Sequence, residues 1–211
     1  MKILTSGDSI TDMNRAYDTD GSVQSYGSGY VFFIAGELLS KAPDKFEIIN
    51  RGISGNRVVD LYARIKKDVW NLKPDVLSIL IGVNDVWHEI GSRNGVEIDR
   101  FERVYRTLIK ETLERLPDCK IMLLEPFVLK GAATEEKYSE FLQVKEYAKV
   151  VKKLAEEFRL VFVELQKKFD EAAAKYGADK YLYDGVHPDV AGAKLIADEW
   201  LKAFRDIVEK Q

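Results

Sequence analysis

The sequence predicts an α/β fold with a doubly wound, five-stranded parallel sheet. Short apolar runs alternate with longer amphipathic stretches along all 211 residues. The short runs are continuously apolar, which is typical of parallel strands covered by helices on both faces. Such strands are joined by right-handed crossovers, and five of them favour the flavodoxin-like strand order over the six-stranded dinucleotide-binding order.

Each element is assigned from its run length and its periodicity. The predicted strands are residues 2–6, 47–50, 76–81, 121–124 and 160–163. Helical spacing of apolar residues follows in the segments between them. Pro117 ends the third helix, and Pro188 suits the first turn of the last one. The predicted helices are residues 30–39, 58–72, 98–116, 138–158 and 188–208.

Composition and charge exclude several classes of function. The 32 Lys and Arg against 35 Asp and Glu leave a formal net charge of -3, so we expect no binding of nucleic acid or an anionic membrane. No apolar run approaches the ~20 residues of a membrane span, and no secretion signal is visible, so a cytoplasmic protein is expected. The single cysteine, Cys119, is expected in the core. The chain contains no linker or repeat, which predicts one domain over residues 1–211.

Four polar motifs follow predicted strands or precede the last helix. GDSIT follows the first strand, GISGN the second and GVND the third, while DGVHP opens the last helix; they occupy residues 7–11, 52–56, 82–85 and 184–188. Ligands bind beyond the carboxyl ends of parallel strands, so we expect the motifs to converge at that edge of the sheet. The irregular segment 12–29 leaves the first strand there and either shares in the pocket or is a mobile loop.

These motifs contain the groups that acyl transfer by a serine requires. Ser9 is a weak nucleophile until a base takes its proton, and the chain offers only His88 and His187 as that base. A tight turn can bring Asp184 to Nδ1 of His187, three residues later, which fixes the tautomer. His88 has no comparably placed partner and is expected at the rim or the surface. We therefore predict a triad of Ser9, His187 and Asp184.

A tetrahedral intermediate also needs hydrogen-bond donors for its oxyanion. The N–H groups of Ser9 and Gly55 and the side-chain amide of Asn84 form the predicted set. Asp8 and Asp85 beside them are expected to cap helices. Each motif alone is a weak signal, whereas all four in this order predict an esterase. No cofactor is expected, and two distant histidines form no metal-ligand cluster.

The four motifs resemble the signature blocks of the SGNH (GDSL-type) hydrolase superfamily. Its Ser, Gly, Asn and His correspond to Ser9, Gly55, Asn84 and His187. The resemblance extends from residue 7 to the last helix, and the G-x-S-x-G elbow of α/β-hydrolases does not occur in the sequence. It implies a three-layer α/β/α sandwich with Ser9 just after the first strand.

A narrower resemblance links the chain to the intracellular acetylxylan esterases of that superfamily. GYV, NRGISGN, KPD and GVNDVW carry it, at residues 29–31, 50–56, 73–75 and 82–87. It implies removal of acetyl groups from xylo-oligosaccharides, a pocket sized for acetyl and a homo-oligomer. That branch can carry Trp before the catalytic Asp, where this chain has Tyr183. Tyr30, Trp87 and Tyr183 are candidates to stack on sugar or wall the pocket, or else are core aromatics with a polar tip.

Two other classes of function fit parts of the sequence. A lipid acylhydrolase or thioesterase needs an extended apolar groove, and segment 12–29 is too polar to line one. A ligand-binding module without catalysis would have lost a triad residue, whereas all three are present. The interpretation that the sequence favours is an esterase that removes acetyl from a sugar through an acyl-enzyme on Ser9.

Overall fold

The computed structural model describes residues 1–208 and contains a five-stranded sheet. Every neighbouring pair of strands is parallel, and the order β2-β1-β3-β4-β5 is the flavodoxin-like order. The predicted fold class is therefore confirmed. The strands are β1 (Lys2–Gly7), β2 (Glu47–Gly52), β3 (Val76–Leu80), β4 (Lys120–Leu124) and β5 (Val161–Val163).

Helices form the two outer layers of the sandwich. In one, α2 packs against α9, and in the other α5 packs against both α3 and α7. No helix within residues 1–208 combines the length and the apolar character that crossing a membrane requires. The helices are α1 (Ser9–Asp12), α2 (Tyr30–Lys41), α3 (Val58–Ile65), α4 (Val83–Ser92), α5 (Ile98–Arg115), α6 (Tyr138–Phe141), α7 (Val144–Phe158), α8 (Gln166–Tyr176) and α9 (Val190–Val208).

The central strands are buried on both faces, as continuous apolar runs require. Leu4 of β1 lies opposite Leu77 of β3, and both are fully buried. Successive side chains of a strand point to opposite faces, so burial of the whole run means that both faces are covered. Cys119 is also buried, as predicted, and burial raises the pKa of its thiol to about 12.

Three predicted helices differ from those in the structure. The helix predicted over 138–158 is interrupted, so that α6 and α7 are separate, and the one over 58–72 becomes a π-helix at Lys66–Trp70. The last helix begins at Val190, because Pro188 forms an antiparallel bridge with Leu182 and is therefore extended. Helix α4 was not predicted. Its first turn buries Asn84 and Asp85, so the apolar periodicity that marks a helix is broken there.

Replacing Phe101 tests how much the core between α5 and α7 contributes to the stability of the fold. Its ring is fully buried, with its centroid 4.9 Å from that of Tyr147. We expect Phe101→Ala to lower the free energy of unfolding by about 3–5 kcal/mol, because it removes a buried aromatic ring and leaves a cavity. Urea denaturation followed by circular dichroism measures this loss. Phe32→Ala, at a ring that is 43% exposed, is the control and should lose less than half as much; equal losses would contradict the packing described here.

Candidate active site

Ser9 is presented by the turn that follows β1, an inner strand of the sheet. Asp8 caps α1, since its Oδ1 accepts a hydrogen bond of 3.0 Å from the N–H of Ile10, and Ser9 is the first helical residue. The predicted capping role of Asp8 is confirmed. Burial raises the pKa of Asp8 to about 7, against the lowering effect of that hydrogen bond and of the nearby His187.

Ser9, His187 and Asp184 are joined in series by hydrogen bonds. Ser9 Oγ lies 2.9 Å from His187 Nε2, and His187 Nδ1 lies 2.7 Å from Asp184 Oδ2. The second oxygen of Asp184 accepts hydrogen bonds from the backbone N–H groups of Val186, at 2.9 Å, and His187, at 2.8 Å. The tight turn over 184–187 therefore holds the carboxylate and the imidazole in one fixed orientation.

The charges of this turn stabilise each other. The hydrogen bond that the imidazole donates to Asp184 raises the pKa of His187 above its ordinary value, although burial of the ring acts in the opposite direction. For Asp184, burial alone would raise the pKa, but the hydrogen bonds from the ring and the backbone of His187 and from Val186 outweigh it. The pKa of Asp184 is therefore lowered, and the carboxylate stays ionised beside the imidazole.

The backbone of Gly55 supplies a free donor beside the serine. Gly55 lies in the turn after β2 with a φ of +79°, a conformation that glycine adopts without strain. Its N–H makes no hydrogen bond to any residue among 1–208. The N–H of Ser9 has no acceptor within its own helix, because it belongs to the first turn.

Asn84 is the second residue of α4, in the first turn of the helix that follows the carboxyl end of β3. Its Nδ2 donates one hydrogen bond of 3.1 Å to the carbonyl of Asn56, which leaves a second N–H on the same nitrogen. The neighbouring Asp85 caps α3 rather than its own helix, with its two oxygens 3.1 and 3.3 Å from the N–H of Val58. Burial raises the pKa of Asp85 to about 8.

A cleft of about 450 Å³ opens over the serine, and aromatic rings flank its histidine. The Tyr183 ring stacks on His187 with a centroid distance of 5.7 Å and an interplanar angle of 15°, and Tyr183 remains 54% exposed. Trp87 lies on another side, 5.8 Å from the same imidazole. The cleft is lined by Ser9, Met13, Asn14, Ser54, Gly55, Asn84, Trp87, His88, Tyr183 and His187.

The prediction that Tyr30 contributes to the pocket is wrong. Its side chain is fully buried, and its hydroxyl lies 3.1 Å from Thr11 Oγ1 beneath α1. Tyr30 is the first residue of the buried stripe of α2, so helical packing turns the ring into the core. Tyr30 is therefore a core aromatic residue with a polar tip, which was the alternative to a place in the pocket.

Met13 and Asn14 belong to the cleft but were not singled out from the sequence. Both follow α1 with positive φ, 40° and 60°, which turns the chain across the mouth of the cleft. Asn tolerates this conformation and Met rarely adopts it, so no sequence signal marked the pair. Their position confirms that segment 12–29 shares in the pocket, and His88 lines the cleft as the rim residue that was predicted.

Other cavities of the molecule lack these groups. A groove of about 750 Å³ between α2 and α9 is lined by neither serine nor histidine. Across residues 1–208, three or more His, Cys, Asp or Glu side chains are nowhere grouped so that they could hold a metal ion. All four predicted motifs contribute residues to the cleft above Ser9.

Serine, imidazole and carboxylate in series beside an open cleft are the arrangement that defines serine hydrolases. The chain belongs to the GDSL-like lipase/acylhydrolase family, whose model matches residues 6–195. The family predicted from the four motifs is therefore confirmed.

Relatives of known structure cover nearly the whole chain. An acetylxylan esterase of Geobacillus stearothermophilus is 37% identical over 207 residues, which are 95% of this chain and 92% of that protein. The crystal structure of Axe2, an acetylxylan esterase from the same organism, matches this chain with a TM-score of 0.85, and the match covers 96% of this chain and 93% of that one. A protein of Parabacteroides merdae assigned as a GDSL-like lipase is 44% identical, with a TM-score of 0.88 and coverages of 96% and 94%. These similarities identify the protein as a carboxylic ester hydrolase acting on a small acylated substrate.

The raised pKa of His187 makes the pH dependence a test of this site. A histidine base works only when it is neutral, so we expect kcat/KM to fall with decreasing pH, with a midpoint above the ordinary value of about 6.5. Asp184→Asn removes the main cause of the shift. Its midpoint should move to lower pH, and its kcat should fall by about 10³–10⁴-fold.

The profile is measured with p-nitrophenyl acetate from pH 5 to 9, after thermal denaturation has shown that each variant is folded. His88→Ala is the matched control and should leave the midpoint in place. A midpoint that moves with His88 and not with Asp184 would contradict the assignment of His187.

Proposed function

We propose that the protein is a serine esterase that removes acetyl groups from carbohydrate, such as acetylated xylo-oligosaccharides. The observation that carries this proposal is the 2.9 Å contact of Ser9 Oγ with His187 Nε2 at the base of a small, aromatic-flanked cleft. The 37% identity to an acetylxylan esterase over 95% of the chain supports the substrate class. Catalytic roles follow from the geometry of the groups in the cleft.

Acylation begins when Ser9 Oγ attacks the ester carbonyl. His187 Nε2 takes the hydroxyl proton, and Asp184 stabilises the imidazolium that forms. The N–H groups of Ser9 and Gly55 and the amide of Asn84 donate to the oxyanion of the tetrahedral intermediate. The intermediate collapses to an acetyl-enzyme, and the sugar hydroxyl leaves with the proton from His187.

Deacylation repeats these steps with water in place of the sugar. His187 takes a proton from the water as its oxygen attacks the acetyl carbon, and the same donors stabilise the second oxyanion. Collapse breaks the bond to Ser9, which regains its proton from His187. Acetate is released, and the enzyme returns to its starting state without a metal or cofactor.

Variants of Axe2 support the assignment of two of these residues. Catalytic mutants of that esterase carry alanine in place of a serine and in place of an aspartate. The separation of the two positions along its chain agrees to within one residue with that of Ser9 and Asp184. A further Axe2 variant replaces the tryptophan before that aspartate, the place that Tyr183 occupies here.

The lining of the cleft fits an acetylated sugar. Its volume of about 450 Å³ lies at the small end of ligand sites and leaves room for an acetyl group and one sugar ring. Trp87 and Tyr183 offer aromatic surface, while Asn14 and His88 offer polar groups for sugar hydroxyls. We infer that the two aromatic residues limit the acyl side.

An adjoining apolar hollow favours the second candidate, an acylhydrolase or thioesterase with a lipid-like substrate. The hollow, of about 430 Å³, shares Met13 and Asn14 with the cleft and is lined beyond them by Val23 and Phe32. Both of these apolar side chains are exposed. A long acyl chain would find its apolar surface there, so the dependence of rate on acyl length separates the two candidates.

Replacing the nucleophile tests the chemistry itself. We expect Ser9→Ala to lower kcat for p-nitrophenyl acetate by about 10⁴-fold or more, because no acyl-enzyme can form. The change removes one small hydroxyl, so the melting temperature should stay close to that of the wild type. Ser92→Ala, at an exposed serine at the end of α4, should keep full activity. A Ser9→Ala enzyme with a tenth of the wild-type kcat would refute the nucleophile.

Acyl preference tests the substrate class. We expect kcat/KM for acetyl esters to exceed that for butyryl esters by at least ~10-fold, and acetate to be released from acetylated xylobiose. Tyr183→Ala should lower the ratio of kcat/KM for acetyl esters to that for butyryl esters, because it opens the acyl side of the cleft. Initial rates on acetyl, butyryl and octanoyl p-nitrophenyl esters measure this. Octanoyl esters cleaved as fast as acetyl esters, with acetylated sugar untouched, would favour the lipid-directed alternative.

A further inference from the structure

We propose that Asp12 is a positioning residue that holds the Ser54–Gly55 turn and so places the Gly55 N–H relative to Ser9. The inference rests on the proposed function, in which that N–H stabilises the oxyanion. Asp12 is the last residue of α1 and is only 2% exposed. No motif of the sequence analysis assigned it a role.

The carboxylate of Asp12 receives four hydrogen bonds. Its Oδ2 accepts from the N–H and the hydroxyl of Ser54, both at 2.8 Å, and from the Tyr17 hydroxyl at 2.5 Å. Its Oδ1 accepts from the N–H of Arg15 at 3.2 Å. Two of the four donors thus belong to the residue immediately before Gly55, so Asp12 fixes the middle of the turn that presents the Gly55 N–H.

Backbone hydrogen bonds hold both ends of the same turn, and the side chains of Asn84 and Arg64 also bind Asn56 at its far end. The N–H of Ile53 donates to the carbonyl of Gly7 at 3.1 Å, and the N–H of Asn56 donates to Ile53 at 3.2 Å. Within residues 1–208, the backbone N–H of Ser54 donates only to Asp12. Loss of that acceptor would free the centre of the turn, directly beside a glycine whose backbone is intrinsically permissive.

Nucleophile and oxyanion donor are therefore coupled through one short helix. Ser9 is the first residue of α1 and Asp12 the last, so this short helix sets the distance between them. The end of β2 touches this helix at its backbone, since a Cβ on Gly52 would lie 2.2 Å from the nitrogen of Asp12. The Asp12 carboxylate therefore links α1, which begins with Ser9, to the turn that contains Gly55.

The donor set around Asp12 specifies a carboxylate rather than an amide. Burial and then the hydrogen bond to Asp12 raise the pKa of Tyr17, so its hydroxyl stays protonated and donates. An asparagine has one acceptor oxygen and cannot serve donors on both sides, but with that oxygen toward Ser54 it would keep the contacts to the turn. Asp12→Ala removes both oxygens and with them every hydrogen bond from Ser54 to this side chain.

The decisive experiment compares Asp12→Ala with Asp20→Ala. We expect Asp12→Ala to lower kcat for p-nitrophenyl acetate by about 10–100-fold with KM within ~3-fold, since a misplaced donor weakens transition-state binding more than substrate binding. The acid midpoint should not move, because Asp184 controls the pKa of His187. Asp20 lies in the same 12–29 segment and pairs with Arg51 at 2.7 and 2.5 Å, without a contact to Ser54. Asp20→Ala should keep kcat within ~2-fold.

A kcat of Asp12→Ala within twofold of the wild type would overturn the proposal, as would an unchanged kcat with a raised KM. If Asp12→Ala fails to fold, Ser54→Ala decides, because it removes only the hydroxyl contact and keeps the backbone one. We then expect a kcat lowered by about 3–10-fold at constant KM, and a wild-type kcat would overturn the proposal. An inactive Ser9→Ala beside a fully active Asp12→Ala would leave the proposed function standing and remove only the positioning role.

Discussion

The contact between Ser9 and His187 joins two parts of the chain that are 178 positions apart in sequence. Its 2.9 Å length depends on the sheet, which brings the end of β1 and the loop before α9 to the same edge. Strand order β2-β1-β3 places the turns after β2 and β3 on either side of Ser9. The cleft therefore lies at the switch point of the sheet, where the chain passes from β1 to β2 on one side and then crosses to β3 on the other side of β1.

The carboxylates around the cleft have different environments, and their pKa values are shifted in opposite directions. Asp184 receives two backbone N–H groups and the imidazole, and these contacts keep its pKa low. Asp8 is fully buried with one hydrogen bond to Oδ1, and its Oδ2 has no partner among residues 1–208, so burial dominates and its pKa rises to about 7. Asp184, the carboxylate that contacts the imidazole, is thus the one whose negative charge is stabilised by backbone N–H groups of the turn.

Most of the fold and the core of the site could be predicted from the sequence, because both depend on local pattern. Continuous apolar runs mark buried parallel strands, and Asp184 and His187 are close enough in the chain for one turn to join them. Tyr30 could not be placed correctly, since only the packing of α2 decides whether an aromatic ring beside a motif faces the cleft or the core. The role of Asp12 could not be predicted for a related reason. Its partner Ser54 is 42 positions away, and no spacing rule connects them.

The central claim, that His187 activates Ser9 as the nucleophile, is tested most directly by covalent labelling with diethyl p-nitrophenyl phosphate. This reagent phosphorylates an activated serine, and peptide mass spectrometry locates the label. The account predicts one label per chain, on Ser9, with activity lost in proportion, and labelling of His187→Ala at least about 100-fold slower. A label on another residue, or full activity after Ser9 has been modified, would contradict it.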